Sequence, residues 1–124
     1  MKLKKFSDFT QILESTTPTD LLTNLETDNE FLKYAKLQGK SVTNPKQVLA
    51  TCIEGNCDLV ADYIASRVNG SKVIQGTTED EETIHFFIKY KNKYYDFYNP
   101  EGVSDIKGLD YFAGINTKIK TQEV

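Results

Sequence analysis

The chain has no tryptophan, one methionine, one histidine, two cysteines and three prolines among its 124 residues. Two cysteines are too few for a secreted disulfide scaffold, so reduced thiols in a cytoplasmic setting are the simpler reading. With a single histidine beside them, the soft ligands of a structural zinc site are also too few, and no metal or other cofactor is expected. No run approaches the roughly 18 apolar residues that a membrane span requires. The start, MKLKKFSDFTQIL, carries lysines as a signal peptide does, but Asp8, Thr10 and Gln11 interrupt the apolar segment that should follow. An excess of positive charge is lacking as well. Fifteen basic and 18 acidic residues leave a net charge of -3, which steers away from nucleic acid and from anionic membrane.

What remains is ordinary globular material. An apolar fraction of 39% and a mean hydropathy of -0.47 fit one domain over residues 1–124 with a modest core. Residues 1–50 read as mostly helical, 51–119 as a core of one helix plus a sheet, and 120–124 as a tail. Phe6, Phe9, Ile12 and Leu13 line one helical face. Thr17-Pro18-Thr19-Asp20 starts a short helix reaching about Leu25, with Thr17 as cap and Asp20 at the positive end. Further helices are expected over Glu30 to Gln38 and from Asn44-Pro45 through KQVLATCI to near Gly55.

The clearest helix follows Gly55. Cys57, Val60, Ala61, Ile64, Ala65 and Val68 form an apolar stripe, with Asp58, Asp62, Ser66 and Arg67 outside it. Asn56 is the expected cap and Asn69-Gly70 the stop. The period then falls to two. Residues 71–76 read as a strand, Thr77 to Glu82 as a solvated loop, and Ile84 to Tyr90 as a strand that alternates cleanly. Lys91-Asn92-Lys93 turns the chain, Tyr94 to Tyr98 returns it, and a last strand is expected among Tyr111, Phe112, Ile115 and Ile119. The expected class is α+β, with the Cys57 helix on a small antiparallel sheet.

Cys57 has a chemical position. The first turn of a helix offers unpaired N–H groups and the positive end of the peptide dipoles, which favour a thiolate. Gly55 permits a tight turn able to aim backbone N–H groups at an oxyanion. Because Cys57 continues the buried stripe, its sulfur is expected to face the sheet. His85, 28 residues on, is the only side chain with an ordinary pKa suited to proton exchange near neutrality. Cys52 lies late in its helix, where the dipole opposes a thiolate, and reads as structural.

A third group should fix the imidazole tautomer, and Asp96 and Asn99 both qualify. A three-residue turn pairs Tyr90 with Tyr94 and His85 with Asn99. A two-residue turn pairs Lys89 with Asp96, on the His85 face but four positions away, about 13 Å at 3.3 Å per residue. Geometry favours Asn99, and charge favours Asp96 because a carboxylate stabilises an imidazolium better than an amide does.

The stretches GNCDLVADYIASRV and HFFIKYKNKYYDFYNPE resemble the nucleophile helix and the histidine hairpin of the papain-like cysteine hydrolase superfamily, in its compact transglutaminase-like or NlpC/P60-like versions. The resemblance covers roughly residues 50 to 100 and implies a papain-like core with Cys57 as nucleophile and His85 as base. Its third residue corresponds to Asn99 in Asn99-Pro100, or to Asp96 after Tyr94-Tyr95. Phe87 stands where tryptophan is common, and the upstream glutamine that papain-like proteases use for the oxyanion has no match, Gln47 being ten residues away. The resemblance implies a cysteine-dependent hydrolase or acyltransferase (protease, amidase, deamidase or transglutaminase-like) acting on an amide bond of a protein or peptide substrate. The alternative is a catalytically inactive papain-like inhibitor or adaptor that binds a protein.

Overall fold

The computed structural model describes residues 16–53 and 58–124, without the side chains of 51–53. The Phe6 to Leu13 helix, the Asn56 cap, Gly55 and Cys57 lie outside the described residues.

Among the described residues, four α-helices precede the sheet: α1 (Pro18–Thr23), α2 (Asn29–Leu37), α3 (Pro45–Ile53) and α4 (Leu59–Arg67). The α1 start is as expected. Thr17 Oγ1 accepts the Asp20 N–H and Asp20 Oδ2 accepts the Thr17 N–H, a reciprocal cap that satisfies two otherwise unpaired donors. A single 3₁₀ turn, Leu25–Thr27, follows. Asp28 then caps α2 by accepting the Glu30 and Phe31 N–H groups.

α4 begins at Leu59, and Asp58 before it makes no side-chain cap. Its buried face is wider than the expected stripe. Leu59 and Tyr63 are buried along with Ala61, Ile64 and Val68, because the helix touches α1, α2 and α3 on one side and the sheet on the other. The Tyr63 hydroxyl donates to Asp28 Oδ2 at 2.6 Å, tying α4 to the start of α2.

The sheet is antiparallel with four strands: β1 (Lys72–Thr78), β2 (Ile84–Tyr90), β3 (Lys93–Tyr95) and β4 (Ile119–Glu123), in the order β3-β2-β1-β4. Three expectations need correction. Thr77 and Thr78 belong to β1, and Thr78 is buried, so the solvated loop is shorter than the sequence suggested. The return strand stops at Tyr95, and Asp96 to Tyr98 leave the ladder. Residues 120–123, read as a tail, pair with β1 in β4, while Tyr111 and Phe112 sit in a 3₁₀ turn, Asp110–Phe112.

The two sheet faces carry separate apolar clusters. Val73, Ile88, Tyr90 and Tyr95 pack with the helices. Ile74 and Phe87 face the other way and pack with Leu109 and Phe112 from the 3₁₀ turns after β3. This is a mixed α+β fold with helices on one sheet face. Thr19 Oγ1 also donates to the Pro100 carbonyl at 2.6 Å, which anchors α1 to the loop beyond β3.

Candidate functional site

His85 sits in β2 directly across from Gly76 of β1. Strand alternation places it on the side of Phe87, away from the helices. Its Nε2 lies 2.7 Å from Asp96 Oδ2, and both side chains are largely buried. Asp96 Oδ1 accepts the Asn99 N–H at 2.8 Å, so each carboxylate oxygen has a partner. An ionised carboxylate only accepts hydrogen bonds, so a neutral His85 carries its proton on Nε2 and keeps the lone pair on Nδ1.

The structure thus brings Asp96 to His85 and sends Asn99 elsewhere. Its Oδ1 accepts the Asp110 N–H at 3.0 Å. The reason lies in the turn. Lys91 and Asn92 both have positive φ, 48° and 66°, and they form a two-residue hairpin that pairs Tyr90 with Lys93, Lys89 with Tyr94 and Ile88 with Tyr95. Lys89 therefore faces Tyr94, not Asp96. Continuing that register sets Asp96 level with Phe87, two positions from His85. The offset is about 6.6 Å at 3.3 Å per residue, which a histidine side chain spans.

Two aromatic residues that the sequence reading did not connect to this site complete it. The Tyr111 ring stacks on the imidazole, 4.1 Å between centroids and 5° between planes. Phe112 meets the same imidazole edge-on at 5.8 Å. Gly76 makes room for Phe112: a Cβ there would lie 2.9 Å from Phe112 Cζ and 3.0 Å from Phe87 Cε1. An isolated glycine within a run of strand residues is the one available sequence signal for such a close approach.

A cleft open to solvent runs past this pair. Val60, Ala61 and Ile64 of α4 form one part of its wall, and His85, Asp96 and Tyr111 another. The cleft passes around the sheet edge. β3 pairs only with Ile88 to Tyr90, which among the described residues leaves the first half of β2 without a neighbour strand on that side. Both faces of β2 consequently contribute, Phe86 and Ile88 from the helix side and His85 and Phe87 from the other. This corrects the expectation of a helix facing its base directly across one sheet face: α4 and His85 are on opposite faces and meet the same cleft around the notch.

Gln47 is engaged elsewhere. Its Oε1 accepts from the Thr43 N–H and hydroxyl, while Asn44 Oδ1 accepts the Gln47 N–H at the start of α3. Cys52 lies in α3. Among the described residues, no group of three His, Cys, Asp or Glu side chains is placed to hold a metal ion. No described helix is long and apolar enough to cross a membrane. No family model, curated protein or solved structure matches the chain.

Proposed function

We propose that the protein is a cysteine-dependent hydrolase or acyltransferase of papain-like type, acting on amide bonds with Cys57 as nucleophile, His85 as general base and acid, and Asp96 as the group that orients His85. The observation that carries this reading is the 2.7 Å His85–Asp96 pair, which leaves Nδ1 as the basic nitrogen beside a cleft walled by α4. Two residues separate Cys57 from Val60 in that wall, so covalent geometry alone keeps their Cα atoms within about 11 Å.

In this scheme His85 Nδ1 takes the Cys57 thiol proton and the sulfur attacks the amide carbonyl carbon. The carbon–nitrogen bond breaks, the leaving amine takes the proton from Nδ1, and a thioester remains. Water or a second amine, deprotonated by His85, then releases the acyl group. Asn99 has no part in the proton relay. Among the described residues the cleft lining contains no lysine or arginine and is mainly aliphatic and aromatic, which suits a neutral acyl group with an apolar side chain on a protein or peptide substrate. A reducing cytoplasm suits a chemistry that needs a free thiol.

The test is the rate at which iodoacetamide labels Cys57, followed against pH in a Cys52→Ser background. Labelling faster than a free thiol, slowed by His85→Ala and by Asp96→Asn, is the expected result. A free-thiol rate that ignores His85 overturns the assignment and leaves a binding protein, for which the exposed rims Tyr98 and Tyr111 are the natural contacts.

A further inference from the structure

One hydrogen bond cannot fix a planar ring. The Asp96 contact sets where His85 Nε2 lies, but the imidazole stays free to tilt about the N···O line, and with it the direction of Nδ1. A flat surface against the ring face removes that freedom. Tyr111 supplies one, stacked within 5° of parallel.

Tyr111 sits in a turn of three residues, closed by the Phe112 N–H on the Leu109 carbonyl and the Ala113 N–H on the Asp110 carbonyl. Packing and a side-chain bond tie that turn to the rest of the molecule. Leu109 and Phe112, both fully buried, anchor its two ends in the Ile74–Phe87 cluster, and Asn99 Oδ1 accepts the Asp110 N–H at its near end. Asn99 in turn donates its own N–H to Asp96 Oδ1. The contacts close a circuit: His85 to Asp96, Asp96 to Asn99, Asn99 to Asp110, and Tyr111 back onto His85. Asp96 holds the edge of the imidazole and Tyr111 holds its plane.

We propose that Tyr111 is a positioning residue for His85 and that Asn99 is the latch that keeps it in place. The purpose of that positioning, aiming Nδ1 at a thiol, rests on the catalytic reading above; the positioning itself rests only on the contacts just given. The substituted tyrosine is more than a third exposed, at 38%, so its removal leaves both apolar clusters intact.

The chain has a single histidine, so its ring resonances in an NMR spectrum need no assignment against others. The experiment records them for the full chain and for Tyr111→Ala, Tyr111→Phe and Asn99→Ala. Tyr111→Ala should shift the His85 ring protons downfield as the stacked ring is lost, and should speed solvent exchange of the Nε2 proton about two- to tenfold, the range such ring pairs are worth. Tyr111→Phe should restore both readings. Asn99→Ala should move the His85 ring protons in the same direction as Tyr111→Ala and by less, because Leu109 and Phe112 still hold the turn, without altering any group that touches the imidazole. A parent-like spectrum for Tyr111→Ala overturns the proposal, and a parent-like spectrum for Asn99→Ala overturns the latch. Should Cys57 labelling ignore His85 while these spectra behave as expected, the catalytic reading falls and the positioning stands.

Discussion

Gly76 and His85 face each other across the β1–β2 ladder, and the missing side chain at Gly76 is what admits the Phe112 ring beneath the imidazole. Gly76→Ala should therefore cost about 1–3 kcal/mol, the usual penalty for an extra methyl group in a filled core. Phe112 must shift to relieve it, and Tyr111 is its chain neighbour. Thermal unfolding reads the stability loss, and the His85 resonances should move in the same variant.

Asp96→Asn tests the tautomer argument more sharply than deletion does. The Asn99 N–H still requires an acceptor, so the new amide oxygen stays with Asn99 and the amide nitrogen turns to His85. That nitrogen donates, which forces His85 to accept at Nε2 and to carry its proton on Nδ1. If His85 is the base, turnover of a labelled acyl substrate should fall by about 10²–10⁴ while the unfolding temperature changes little.

Tyr63 joins two helices through its bond to Asp28. Tyr63→Phe removes that bond from a carboxylate that also caps α2, with an expected loss of about 1.5 kcal/mol in denaturant unfolding. Burial, and then the hydrogen bond and negative charge of Asp28, push the phenol well above the ordinary tyrosine value. The folded protein thus holds this proton more tightly than the unfolded chain. The stability it contributes is complete below about pH 10 and is lost as pH rises through the folded value. The parent should weaken above pH 10 more steeply than Tyr63→Phe does.

Gly102 has φ of +83°, and a Cβ there would lie 2.6 Å from Tyr95 Cε2. Gly102→Ala meets both a backbone penalty and a clash with a buried ring. An expected cost of about 2–4 kcal/mol, read by chemical unfolding, should exceed that of Gly76→Ala, whose backbone is not left-handed.

Local signals in the sequence were easy to read. Thr17-Pro18-Thr19-Asp20 needs only its own neighbours to cap a helix, and in Ile84 to Tyr90 the period of two is visible in Phe86, Ile88 and Tyr90 on the helix face, with Phe87 adding the core of the other face. Signals that depend on distant packing were not. Leu59 and Tyr63 break a simple stripe because α4 is covered on two sides. Ile119–Glu123 carries hardly any apolar burial, as an edge strand held by backbone bonds to β1. At the site, His85 was legible as the only imidazole. The choice between Asp96 and Asn99 turned on whether Lys91 adopts a left-handed conformation, which a lysine does not advertise. Tyr111 and Phe112 read as strand aromatics, since nothing near them in sequence shows that they fold back onto β2.

The unequal covering of the two sheet faces has a kinetic consequence. On one side lie the described helices; on the other, short turns tethered by Leu109, Phe112 and one asparagine side chain. Amide protons of the 106–115 segment should exchange first, well ahead of those at the β1–β2 centre, because that flap can lift without disturbing the helical layer. Water would then reach the imidazole from behind while the rest of the molecule stays native, so the lifetime of the assembled site is set by the flap and not by global unfolding.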